Sequence, residues 1–236
     1  MIALPAIRRG LLVAIGGSIL ASPAMAFDLI DLRAGEAIGG DVAAGKAKSE
    51  TCVACHGTDG ISPIPMFPNL AGQPAAYAYW QLVAFKQAAR PESPMTALVS
   101  TLSDEDFRDL SAYYATLSND VPSATPLPPV DPEVLAHGES LYADGSPERG
   151  IPACQGCHGI HGEGAVAATG AAAAWPHLRG QQGAYLTQKL QKYRDGVEID
   201  STQDRIMQAV ARSLDEQDIQ ALSGYLASLR PVAGNR

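Results

Sequence analysis

All four cysteines of this 236-residue chain fall in two copies of one pattern, Cys52-Val-Ala-Cys55-His56 and Cys154-Gln-Gly-Cys157-His158. Pairs spaced C-x-x-C admit several chemistries: two disulfides, a zinc ribbon or a thioredoxin-like redox centre. The histidine directly after each pair narrows the choice. C-x-x-C-H is the attachment signature of haem c, in which both thiols add across the haem vinyl groups and the adjacent imidazole is held against the iron as its proximal ligand. Two copies with no cysteine left over make coincidence a poor explanation. Cys52, Cys55, Cys154 and Cys157 are therefore expected to carry two covalent haem c groups, and His56 and His158 to bind the two irons.

The duplication extends beyond the cysteines. Pro68-Asn69-Leu70-Ala71-Gly72-Gln73 matches Pro176-His177-Leu178-Arg179-Gly180-Gln181, and Tyr77 and Tyr185 follow at equal distance. Further on, the run from Met95 to Asp104 matches the run from Met207 to Glu216. Each iron needs a sixth ligand, and methionine is the good ligand type that recurs at equivalent positions downstream of both histidines, as Met95 and Met207. Most methionines are core filler. These two are expected to lie off any amphipathic helical face, in polar, turn-rich sequence just before a helix cap. Met66 has no counterpart in the second half, His161 is too close to His158 to reach the opposite haem face, and His137 and His177 align with Ala44 and Asn69. Met66 reads as packing and the three histidines as surface or hydrogen-bonding residues.

The elements that must position these groups are helical, so the fold class is all-α. Asp41 to Thr51 reads as a short helix entering the first motif, with Gly45 as a point of close helix approach, and Gly138 is its equivalent within Asp131 to Asp144. Gln73 to Arg90 and Gln181 to Asp195 carry the periodicity of amphipathic helices. Ser103 with Asp106, and Asp215 with Asp218, are cap pairs that start the last helix of each half. Two second-half insertions, Gly145 to Cys154 and Ala165 to Ala174, read as loops.

A chain of 236 residues suits two domains of roughly 100 residues each. Each could fill a core only with help from something bulky, which a haem supplies. Residues 1–26 read as a signal peptide, with Arg8 and Arg9, the apolar stretch Gly10 to Leu20, and Ala24-Met25-Ala26 as cleavage site; the stretch is too short to span a bilayer. Residues 27–120 then form an N-terminal domain with the first haem, the Pro-rich segment 121–132 a semi-rigid linker, and residues 133–236 a C-terminal domain with the second. Removing two arginines and no acid takes the formal charge from −8 to −10. Such acidity makes nucleic acid and anionic lipid poor partners and suits a basic patch on another protein.

On these residues the chain resembles the cytochrome c4 family of dihaem cytochromes. The resemblance rests on both C-x-x-C-H motifs, the Pro-Asn-Leu-Ala-Gly-Gln element, the Leu102-Ser-Asp-Glu-Asp106 helix start with Tyr113-Tyr114, the Pro-rich linker and Ile206-Met207, spread over Gly40 to Leu229. It implies two tandem class I cytochrome c domains related by a pseudo-twofold axis, with the haems near the domain interface and His/Met coordination at both irons. It also implies that the carbonyls of Pro68 and Pro176 accept the Nδ1 protons of His56 and His158.

Catalysis at a haem needs an open distal position, whereas two six-coordinate sites suit electron transfer. The expected function is that of a periplasmic electron carrier, not an enzyme, passing electrons from a quinol-cytochrome c oxidoreductase to a terminal oxidase. The alternative is a cytochrome subunit of a periplasmic dehydrogenase with a flavoprotein partner. A dihaem peroxidase or thiosulfate-oxidising enzyme ranks third, since near-equivalent halves argue against one specialised haem. Peripheral association with the membrane surface is compatible with either leading reading.

Overall fold

The computed structural model describes residues 29–35, 37–87, 90, 93–119, 130–164 and 169–229. The expected signal peptide and residues 121–129 of the expected linker lie outside them. Among the described residues there are helices and isolated bridges but no strand, and no helix is long and apolar enough to cross a membrane.

The first half comprises α1 (Val42–Lys48), α2 (Val53–His56), α3 (Ala75–Lys86), α4 (Pro94–Val99) and α5 (Asp104–Thr116). The second repeats the order as α6 (Pro132–Asp144), α7 (Gln155–His158), α8 (Gly183–Arg194), α9 (Thr202–Ala211) and α10 (Glu216–Ser228). Side chains set the starts. Asp41 accepts from the backbone N–H groups of Ala43 and Ala44 at the head of α1, and Asp131 accepts from that of Glu133 at the head of α6. Ser103 with Asp106 and Asp215 with Asp218 form reciprocal capping boxes that open α5 and α10, as their sequence predicts.

In each half the first helix crosses the last at a glycine. A Cβ on Gly45 would stand 2.0 Å from the carbonyl oxygen of Asp109, and one on Gly138 would stand 2.2 Å from that of Ala221. Only hydrogen fits at these crossings. The last helix is pinned from outside as well. Lys48 bridges Asp106 and Asp109 at 2.7 Å each, while the carboxylate of Asp218, 1% exposed, takes Arg149 and His137.

Both insertions of the second half find structural use. Ser146 and Ile151 exchange backbone hydrogen bonds of 2.8 and 3.0 Å around a 3₁₀ turn at Pro147–Arg149, which buries Ile151 in the core and aims Arg149 at Asp218. The second insertion ends in a 3₁₀ turn, Gly170–Ala174, whose Ala174 packs with Leu32, Ala76 and Trp80 of the first half. Residues 29–33 also cross between halves: Ile30 donates to Asp200 O and accepts from Thr202 N, both at 2.9 Å, and Leu32 N donates to Thr202 Oγ1 at 3.0 Å.

The glycine crossing gives a direct test. Gly138→Ala should cost about 1–3 kcal/mol through overpacking against backbone, whereas Gly39→Ala, where an added Cβ meets nothing within 4 Å, should be close to neutral. Denaturant unfolding of the two variants, run beside the parent protein, measures the difference.

Candidate haem sites

Each C-x-x-C-H motif winds into a single helical turn. His56 N donates to Cys52 O at 2.9 Å and His158 N to Cys154 O at 3.0 Å, so the two cysteines of a pair, three residues apart, share one face. The turn stops at Gly57 or Gly159, whose φ angles of 79° and 81° a side chain would resist. Past the turn the chain loops back over the histidine ring. His56 Nδ1 lies 2.8 Å from Pro68 O, and His158 Nδ1 lies 3.1 Å from Pro176 O across a longer loop.

That contact settles the tautomer. A carbonyl only accepts, so Nδ1 carries the proton and Nε2 keeps a free lone pair. Both rings are buried, and burial lowers both pKa values, partly offset by the carbonyl bond. Two neutral imidazoles, each with one nitrogen tied down and the other available, suit binding to a metal.

Of the remaining sequence-predicted residues, Met95, Met207, Cys52 and Cys154 pack against apolar clusters, while Cys55 is half-buried and Cys157 exposed. In the first half one cluster, Tyr79, Val99 and Phe107, borders Met95, and another, Leu110, Tyr113 and Tyr114, borders Cys52. Both clusters touch Leu82 and Leu102. In the second half Cys154 and Met207 pack against a single cluster. The setting of the methionines differs from the sequence expectation. Met95 is the second residue of α4, and Met207 lies within α9, an amphipathic helix, so the stretch is helical where turns are expected. A capping box of Ser201 with Asp204 nucleates α9 and extends it past Met207.

Of the competing side chains, Met66 and His161 are exposed, and His137 hydrogen-bonds Asp218 at 3.0 Å. His177 departs from a surface role: its Nδ1 is buried without a partner.

Between the halves lies a polar cluster that the sequence did not single out. Arg90, 4% exposed at its side chain, binds Asp200 of the second half at 2.5 Å and Gln81 of α3 at 2.8 Å. Glu198 joins it at 3.8 Å and takes Lys189 at 3.2 Å. Arg90 and Glu198 occupy equivalent places in the repeat, at the same distance past Tyr77 and Tyr185, so a cation in one half faces an acid in the other. Tyr77 and Tyr185 interact electrostatically with each other, and burial raises both phenol pKa values. The repeat of Tyr77 and Tyr185 was legible, but nothing in it marked them as facing one another.

These residues fit a haem in each half. Arg90 Nη2, Arg179 Nε and His177 Nδ1 are buried with no partner in protein, and leaving such groups unpaired is costly. Arginine donors suit the carboxylates that edge a haem. The split apolar clusters of the first half, each touching one predicted haem residue, suit a flat apolar body.

A duplicated helical fold with a C-x-x-C-H turn, a carbonyl-held histidine and a flanking methionine in each half defines a dihaem c-type cytochrome. The sequence profile of cytochrome c matches residues 42–118 and 135–230. Cytochrome c4 of Pseudomonas aeruginosa is 41% identical over 190 residues, covering 80% of this chain and 89% of that protein. The crystal structure of reduced recombinant cytochrome c4 from Pseudomonas stutzeri aligns with a TM-score of 0.68 at 36% identity, over 81% of this chain and 100% of that one. A thiosulfate dehydrogenase electron acceptor of Thiomonas intermedia is 34% identical, over 79% of this chain and 82% of its own. The chain belongs to the cytochrome c4 family. It is a haem-binding electron-transport protein with two covalently attached haem c groups.

The interface cluster makes a quantitative claim. Arg90→Met strands the buried Asp200 and is expected to cost about 3–5 kcal/mol, the usual effect of breaking a buried pair from one side. Denaturant unfolding followed at the haem Soret band should show it, with the single transition splitting as the halves part.

Proposed function

We propose that this protein is a periplasmic electron carrier, exported by a cleaved signal peptide at residues 1–26, that accepts electrons from a quinol-oxidising complex and delivers them to a terminal oxidase. In this reading Cys52, Cys55, Cys154 and Cys157 hold the two haems, His56 and His158 are the proximal ligands, and Met95 and Met207 are the distal ones. Residues 27–120 and 133–236 are its two domains. Each bound haem supplies one electron through its iron, and the chain's part is to hold the ligands still so that little rearranges on transfer.

The single observation that carries the reading is the equivalence of the halves. Each presents the same neutral, carbonyl-held imidazole and a half-buried methionine on an apolar wall; in the second half that wall also takes Cys154, and in the first Met95 and Cys52 border two clusters that share Leu82 and Leu102. A haem enzyme gains by leaving one site open and making it unlike its partner. Thioether ligation also raises the potential relative to two imidazoles, which suits a link towards an oxidase.

A second reading is favoured by one comparison. The similarity to a thiosulfate dehydrogenase electron acceptor supports a dehydrogenase as donor in place of a quinol-oxidising complex. Stopped-flow mixing of the oxidised protein with each candidate donor separates the two, the faster reduction naming the partner. Slow reoxidation by terminal oxidases and co-purification with a dehydrogenase would replace the first reading with the second. Rapid peroxide turnover by the reduced protein would instead make it an enzyme.

The ligand assignment has its own check. Oxidised protein should show the weak near-infrared charge-transfer band of sulfur on ferric iron, and Met207→Ala should remove about half of it, as should Met95→Ala, since each replaces one of two equivalent thioethers. An unchanged band in either variant refutes that methionine as ligand.

A further inference from the structure

The peptide that holds each histidine is itself held by the other half. Pro68 O and Asn69 N–H belong to one peptide group. The oxygen accepts from His56 Nδ1, and the N–H donates to Gln181 Oε1 of the second half at 2.7 Å. Gln181 Nε2 then donates to Asn69 O at 3.0 Å, so one side chain clamps both backbone groups of Asn69. The arrangement repeats in the opposite direction. Pro176 O accepts from His158 Nδ1, His177 N–H donates to Gln73 Oε1 at 3.1 Å, and Gln73 Nε2 donates to His177 O at 2.9 Å. Asn69, Gln73 and Gln181 are all buried, away from competing water.

We propose that Gln73 and Gln181 are positioning residues that set the reduction potential of the haem in the opposite half. A peptide whose N–H is bonded to an acceptor has a more negative carbonyl oxygen, because hydrogen bonds in a chain polarise one another. That oxygen draws more strongly on the histidine Nδ1 proton, which makes the imidazole a more basic ligand. A more basic ligand stabilises ferric iron over ferrous and lowers the potential. The crossed connection follows from geometry alone: Gln181 acts on the first haem and Gln73 on the second. The inference rests on His56 and His158 being the proximal ligands.

The test uses the full holoprotein. Each haem's methyl signals, assigned by NMR through contacts with the cysteines that carry them, are followed during a redox titration of the parent protein, Gln181→Met and Gln181→Glu. Gln181→Met should raise the first haem's potential by about threefold to tenfold in its one-electron equilibrium constant, up to about 59 mV, and shift the second haem less. Gln181→Glu keeps an acceptor for Asn69 N–H and adds charge, so it should move the first haem the other way. Gln73→Met should raise the second haem's potential. A shift confined to the half that carries the substitution, an equal shift in both halves, or the same direction for Met and Glu overturns the relay. Haem content and His56→Ala test the underlying reading separately: fewer than two haems in the parent protein, or a ferric spectrum that His56→Ala leaves unchanged, would refute the site itself.

Discussion

A buried imidazole can serve a metal only if its orientation and tautomer are fixed, and in each half one hydrogen bond to a proline carbonyl does both. Most of the remaining structure serves that bond. The C-x-x-C-H turn delivers the ring, a positive-φ glycine ends the turn, and the returning loop must bring the proline carbonyl back within 2.8 Å or 3.1 Å. Helices that cross at Gly45 and Gly138 build the frame on which turn and loop are mounted.

The halves meet through groups that are equivalent in the repeat but not always alike in chemistry. Gln73 and Gln181 are identical and make matching contacts across the interface. Arg90 and Glu198 have diverged to opposite charge and thereby become complementary. A duplicated chain that pairs with its own copy places equivalent positions near the symmetry axis, where each faces its counterpart. Tyr77 and Tyr185 show the undiverged case, two phenols that interact with each other.

Much of this was legible in the sequence because local rules govern it. The cap pairs Ser103 with Asp106 and Asp215 with Asp218 and the glycine crossings depend on neighbours in the chain or on the absence of a Cβ. The surroundings of Met207 were misjudged because the Ser201 and Asp204 capping box, four residues of ordinary polar sequence, carries α9 past it. Arg90 was missed for another reason. Its partners Glu198 and Asp200 lie more than a hundred residues away, and no local pattern distinguishes an arginine that will be buried from one left in water. The insertion at Gly145 to Cys154 has loop composition, yet Ile151 closes the core, which only the packed structure reveals.

Residues 29–33 join the two halves in the order of assembly as well as in space. Leu32 reaches Thr202 over a separation of 170 residues, so this contact cannot form until nearly the whole chain has emerged. Closing so distant a contact is slow compared with winding the local helices. Both cysteine turns can therefore take up their local shape while the interface is still open. Residues 29–33, made early, must wait for residues 200–202 before they can dock, long after the neighbours that each cysteine turn needs are in place.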